Sequence, residues 1–286
     1  MLADWETNTV LISDLLPQRY LEIVRQWEAA LVEQEIPLIV VFGTADIWIR
    51  DAAPIQVNER HFTQFRYRPN YLLNGDEDLI TKPEVFRRLK LFKRSTRSKL
   101  IMDGGNIVGT RSVAIVTDKL FKENSDRNRS EIRAELQREL QVERLIVIPK
   151  EPFDRVGHAD GMVRFVTEHQ IVISDYRGVD SGFAERLEKV LMANALPFVR
   201  LPYVPELRIR NGIPSAVGNY ANYLRVGNVI LLPAYGLPED KVAWDILTNL
   251  LPHCRVVPLS CRNLAEDGGV LNCASWTILQ TSNKHN

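Results

Sequence analysis

The chain has little of what would commit it to a membrane, a secretory route or a nucleic acid. No apolar run reaches the length of a membrane span, and the opening Met1-Leu2-Ala3-Asp4-Trp5-Glu6 has neither a basic flank nor an apolar core. Net charge is absent. Lys plus Arg is 36 and Asp plus Glu is 36, which argues against a partner that is nucleic acid or anionic lipid. Cysteine is scarce: Cys254, Cys261 and Cys273 make no disulfide framework. An odd, sparse set suits a reducing cytoplasm and leaves room for one working thiol. Low-complexity tracts and linkers are also missing. The 286 residues therefore read as one domain, 1–286, with a short polar tail from Thr281 to Asn286.

What is present is a recurring unit. Leu16 to Glu35 has helical spacing of apolar residues, Ile36 to Phe42 reads as a buried strand, and Ile55 to Asn58 with Phe62 to Tyr67 reads as a hairpin. Pro83 to Lys99 predicts a helix with a basic, solvated face, followed by a short strand, Leu100 to Met102. Ser130 to Gln141 predicts an amphipathic helix with Ser130 as its N-cap. Strand, glycine-bearing polar loop, hairpin and helix follow one another along the chain, with loops about every 50 to 60 residues. Arg50-Asp51, Asp103, His158-Asp160, Asn219 and Cys273 fall at the same point of successive units. A ring of such units would gather those loops around one axis.

The central loop, Gly157-His158-Ala159-Asp160-Gly161, carries the sharpest signal. If the segment is extended, His158 and Asp160 share a face at the mouth of a strand that starts at Met162. Trp48 and Arg50 read as packing and ion-pair residues. Cys254 and Cys261 read as small buried hydrophobes, the usual state of a free cysteine. His61, His169, His253 and His285 have no partner motif.

The runs Trp48-Ile49-Arg50-Asp51, Asp103-Gly104-Gly105-Asn106, Gly157-His158-Ala159-Asp160, Gly218-Asn219-Tyr220-Ala221-Asn222 and Gly268-Gly269-Val270-Leu271-Asn272-Cys273 resemble the guanidine-modifying superfamily of penteins. Within it they are most similar to the agmatine deiminase and bacterial peptidyl-arginine deiminase group. The resemblance implies a five-bladed, pseudo-symmetric α/β propeller of ββαβ modules, with no metal and no organic cofactor. It implies a hydrolase that converts a guanidino substrate to a ureido product and ammonia. By similarity, Cys273 matches the nucleophile, His158 the general acid/base, and Asp51 and Asp160 the carboxylates that hold the guanidinium. Asp103 and Asn219 are the further candidates for substrate contact, Asp103 also reading as a plain turn carboxylate. Three positions depart from the family pattern: Ala53 stands before Pro54 in place of Gly, Asp103 in place of Glu, and Asn272 in place of His before the cysteine.

The residue types suit that chemistry. A guanidinium is planar and permanently charged, so paired carboxylates can grip it in fork geometry. Its carbon is a poor electrophile, and a thiolate is the best side-chain nucleophile for it. Amidino transfer to an amine, metal-dependent hydrolysis through His158 and Asp160, and a non-catalytic binding module stay open as rivals. The sequence leaves self-association into a homo-oligomer open as well.

Overall fold

The two ends of the chain meet in one sheet. In the computed structural model, Ser275–Ile278 runs antiparallel to Thr9–Ser13, which runs parallel to Leu38–Val41. Residues 1–281 are described, apart from 74, 92–93, 153, 207 and 211; most of the polar tail, with His285, lies outside them.

Four further three-stranded sheets repeat the arrangement of an antiparallel pair plus a parallel third strand. They are built from Ile55–Asn58, His61–Arg66 and Arg94–Ile101; Val108–Gly109, Val113–Thr117 and Arg144–Ile148; Val163–Thr167, Gln170–Ser174 and Phe198–Leu201; and Leu224–Val226, Val229–Ala234 and Arg255–Ser260. In each sheet a helical segment links the middle strand to its parallel neighbour, as parallel pairing requires. The protein is thus α/β. Thr9–Ser13 and Val113–Thr117 are buried at every position, as expected of strands covered on both faces.

The helices bury one stripe. Leu21–Val32 turns Ile23, Val24, Trp27, Ala30 and Leu31 into the core, a spacing of three and four residues. Side chains of the size of Leu31 each contribute roughly 1.5–3 kcal/mol by leaving water.

Four local expectations change. The first helix is two, Leu15–Arg19 and Leu21–Val32, broken at Tyr20, whose hydroxyl is drawn away to Asp267. The basic segment is helical only over Pro83–Arg87, and Arg94–Ile101 is a strand paired in parallel with His61–Arg66. It lies at the edge of its sheet, where exposed Arg and Lys discourage pairing with another chain. The N-cap of Arg129–Leu140 is Asn128, whose side chain accepts from the Ser130 N–H. A small hairpin, Ile209–Arg210 with Ile213–Pro214, was not expected.

Candidate active site

Each polar loop reaches its sheet through one tight turn. Asp51 sits on the single helical turn Ile49–Ala52. Asp103, His158 and Asn219 each stand immediately before a 3-10 turn, over Gly104–Asn106, Ala159–Gly161 and Tyr220–Asn222. Cys273 lies in a turn closed by Ala274 N–H donating to the Val270 carbonyl. His158 is extended, but Asp160 lies inside the 3-10 turn. The pair therefore converges by a turn, not by the strand alternation expected from the sequence.

The second loop shows why it needs two glycines. A Cβ on Gly104 would stand 2.1 Å from the Arg50 carbonyl oxygen. A Cβ on Gly105 would stand 2.6 Å from Asp51 Oδ1, 2.7 Å from His158 Nδ1 and 3.3 Å from Asp160 Oδ2. Three of the candidate side chains thus close on one backbone position. Gly105 N–H also donates to Asp51 Oδ1 at 3.1 Å.

His158 is held between carboxylates. Its Nδ1 is 3.4 Å from Asp51 Oδ1 and its Nε2 is 2.8 Å from Asp103 Oδ2. Burial favours the neutral ring, but Asp51 and Asp103 outweigh it and raise the imidazolium to about 9. Burial pushes the Asp51 carboxyl up to about 7, despite the opposing pull of His158. Burial would also raise Asp103, but Lys119 and His158 overcome it and bring it down to about 2.

Lys119 is a residue of the candidate site that the sequence did not reveal. Its side chain is 2% exposed, pairs with Asp103 and lies 3.4 Å from Glu123. Its Nζ is 3.4 Å from His158 Nε2 and lies over the Tyr71 ring. Replacing Lys119 by Met removes the charge and keeps most of the stem, leaving buried Asp103 with His158 alone. Breaking such a pair is expected to cost about 3–5 kcal/mol of unfolding free energy. Urea denaturation checks this, with Asp103→Asn/Lys119→Met expected to recover part of the loss. A single-variant change below about 1 kcal/mol would fit a solvated surface lysine instead.

One asparagine holds the thiol and a second holds the carboxylate beside it. Asn222 Nδ2 donates to Cys273 Sγ at 3.2 Å, and its Oδ1 accepts from Cys273 N–H at 3.3 Å. Sγ stands 3.5 Å from Asp160 Oδ2. That oxygen also accepts from Asn272 Nδ2 at 2.7 Å. Arg50 donates to the Asn272 carbonyl and to its Oδ1 at 3.3 and 3.2 Å, which turns the amide so that its nitrogen faces Asp160. Arg50 thus bonds to an amide where an ion pair was expected. Burial, then Asp160 and Asp51, pushes the Cys273 thiol well above its usual range.

Cys273, His158 and Asp51 line one cavity of about 60 Å³, walled by Trp48, Tyr67 and Tyr71. Trp48 is therefore a wall of the site as well as a packing residue. Asp103, fully buried behind the imidazole, and Asp160, buried beside the Cys273 sulfur, both lie outside the cavity lining. Asn219 lies beside Gly161, outside that lining, and Asn222 of the same loop reaches the sulfur instead. The signal for Asn222 was its place at the end of the turn, three residues after Asn219. Cys254 and Cys261 are buried and apart from the site. Among the described residues, no group of three or more His, Cys, Asp and Glu side chains is arranged to hold a metal ion.

The chain's likenesses point the same way. The family model of Porphyromonas-type peptidyl-arginine deiminase matches residues 6–278. An agmatine deiminase of Pseudomonas fluorescens (strain Pf-5) is 23% identical over 320 residues, covering 95% of this chain and 83% of that protein. Among solved structures, the agmatine deiminase of C. jejuni superposes with a TM-score of 0.77 at 18% identity, over 98% of this chain and 96% of that one. The agmatine deiminase of Enterococcus faecalis superposes with a TM-score of 0.79 at 14% identity, over 98% and 95%. At such identities the superpositions show a shared fold.

Proposed function

The chain belongs to the Porphyromonas-type peptidyl-arginine deiminase family, and from that premise we propose that it hydrolyses a guanidino substrate of the agmatine or arginine type to a ureido product and ammonia. One observation carries this reading. Asp51, His158 and Asp160 close on Gly105, and the Cys273 sulfur stands beside Asp160. Around a flat cation those are two grips, a proton donor and a nucleophile.

The guanidinium enters between Asp51 and Asp160. Its charge offsets the two carboxylates that, with burial, keep the thiol protonated, so with substrate bound the thiol releases its proton to solvent and the thiolate forms. Sulfur attacks the guanidinium carbon, and His158 gives its proton to the departing nitrogen, which leaves as ammonia. A thiouronium remains on Cys273. Neutral His158 then takes a proton from water as it adds to that carbon. Collapse breaks the C–S bond, the hydroxyl proton of the adduct passes to solvent or to the freed ammonia, and the ureido product leaves with the thiolate and imidazolium restored. Asp103, backed by Lys119, keeps the ring oriented and charged. Amidino transfer would differ only in the acceptor, and no feature of this site favours it.

The five similar sheets support a five-bladed propeller, with the polar loops around its axis and the whole chain as one catalytic domain. Free thiols at Cys254, Cys261 and Cys273 suit a reducing compartment and support a cytoplasmic location. Among the described residues no helix is long and apolar enough to cross a membrane.

Ammonia release, screened over agmatine, arginine, methylated arginines and peptidyl-arginine, tests the reading. Failure of all of them with reduced Cys273 would sink it. With the turned-over substrate, kcat/KM is expected to be bell-shaped in pH. It climbs through about 7 as Asp51 ionises to grip the cation. It falls above about 9 as His158 loses the proton it donates. A profile still rising at pH 10 would remove His158 as the acid.

A further inference from the structure

Behind Lys119 lies a cationic recess that the chemistry above does not use. Lys119, Lys122, Lys150 and Arg155 line one hollow of about 390 Å³, and Asp154 is the one carboxylate of its described lining. Tyr71 belongs to this lining and to that of the catalytic cavity, so the two spaces meet at its side chain.

The fold places each cation. Lys119 and Lys122 stand three residues apart on the short helix Lys119–Glu123 and share a face. Lys119 is buried, with its Nζ 3.4 Å from His158 Nε2 and 4.8 Å from the centre of the Tyr71 ring. Lys150 is half-buried, its stem laid against Gly157. A Cβ there would stand 2.6 Å from Lys150 Cδ and 2.7 Å from its Cγ and Cε. Gly157 directly precedes His158. Arg155 donates to the Tyr71 carbonyl at 3.3 Å.

Most of this charge is unmatched. Lys119 is paired with Asp103 and Glu123. Among the described residues no carboxylate comes within ion-pair distance of Lys122, Lys150 or Arg155. Lys150 Nζ donates to the carbonyls of Glu151 and Asp154. The Glu151 carboxylate faces elsewhere, accepting from the hydroxyls of Tyr176 and Tyr203 at 2.9 and 2.7 Å. Asp154 accepts from the N–H groups of Val156 and Gly157 at 2.8 and 2.6 Å, so both its oxygens are engaged. Two ammonium groups and a guanidinium around one hollow suit a tetrahedral oxyanion, whose several oxygens can meet all three. The hollow is wide enough for a phosphate that carries a small organic body.

We infer that this recess binds a phosphate-type oxyanion, held by Lys122, Lys150 and Arg155 over Lys119, and that the bound anion acts on His158 from behind. The anion is an effector, separate from the guanidino substrate and its cavity. Its binding does not rest on the deiminase reading; only the role of His158 as the acid does. His158 is faced by Asp51 and Asp103, which favour its proton, and by Lys119, which opposes it. An anion beside Lys119 offsets that opposition, so the anion and the imidazolium stabilise each other.

The test titrates inorganic phosphate and pyrophosphate by calorimetry, at fixed ionic strength, into wild type, Lys122→Gln and Arg155→Gln. Both replaced side chains are exposed, so the variants should fold as wild type does. Wild type is expected to bind one pyrophosphate per chain, more tightly than phosphate, and each variant to bind it on the order of 10-fold more weakly. In nuclear magnetic resonance, the His158 ring signal is the one missing from His158→Asn. It should titrate at higher pH with pyrophosphate present, and by less in Lys122→Gln. Absence of saturable binding to wild type would overturn the inference. So would binding unchanged in both variants, which would put the anion elsewhere, or a His158 titration indifferent to pyrophosphate. None of these readouts needs turnover. A chain that releases no ammonia from any guanidino compound fails as a deiminase, and the oxyanion site still stands or falls on the titrations.

Discussion

Replacing Cys273 by Ala is expected to abolish ammonia release, lowering kcat by at least about 10⁴-fold. The sulfur is fixed from both sides, by the amide of Asn222 and by the carboxylate of Asp160, and no other side chain of the cavity lining can attack carbon as a soft anion. The substitution removes one sulfur at a half-buried position, so the fold should stand. Agmatine should still bind, because Asp51 and Asp160 remain. Calorimetry and a single-turnover ammonia assay read the two halves separately. Residual turnover above about a tenth of wild type would mean that water attacks the guanidinium directly, without a covalent stage.

Asp160→Asn should have the next largest effect, and it separates two properties that usually move together. Loss of one carboxylate from a buried grip on a cation is expected to lower kcat/KM on the order of 10³-fold. The thiol should respond in the opposite sense. After burial, Asp160 is the strongest influence holding Cys273 protonated, so without its charge the thiolate forms at lower pH. Alkylation of Cys273 by iodoacetamide near pH 8 should therefore run faster in Asp160→Asn than in wild type. A merely structural role for Asp160 would lower turnover and leave the alkylation rate where it was. Asp51→Asn should lose comparable kcat/KM. It should also bring His158 down from about 9, since Asp51 is the leading carboxylate that raises it.

Much of this site was legible because its loops carry paired signals in little sequence. Gly157-His158-Ala159-Asp160 and Asp103-Gly104-Gly105-Asn106 combine a charged group with a backbone that can approach closely. The Gly104 and Gly105 positions show how close that approach is. Lys119 was not legible, because a lysine one residue after Thr117-Asp118 reads as surface. Only the depth of Asp103, Glu123 and His158 in the fold makes it a buried partner. Asn222 was hidden by Asn219, since the choice between them depends on how a 3-10 turn aims each side chain. The departures Asp103 and Asn272 acquire physical meaning here. The shorter Asp103 stays behind the imidazole, where Lys119 meets it. Asn272, held by Arg50, passes its amide to Asp160.

At the level of the fold, alternation and helical spacing served where both faces or one full stripe are buried. They failed over Arg94–Ile101, an edge strand in which only Ser98 and Leu100 are buried. With so thin an apolar pattern its arginines and lysines resembled a helix face. The break at Tyr20 escaped for a different reason: it lies in the backbone of that one residue, at φ −135° and ψ 52°, which apolar spacing does not signal.

The most direct test of the account is to mix the protein with agmatine, quench in acid during the first turnover, and weigh the intact chain and its Cys273 peptide by mass spectrometry. A transient population heavier by the substrate less one ammonia is expected, localised to Cys273, absent from Cys273→Ala and longer-lived in His158→Asn. Steady ammonia release with no mass added to Cys273 at any quench time would contradict it.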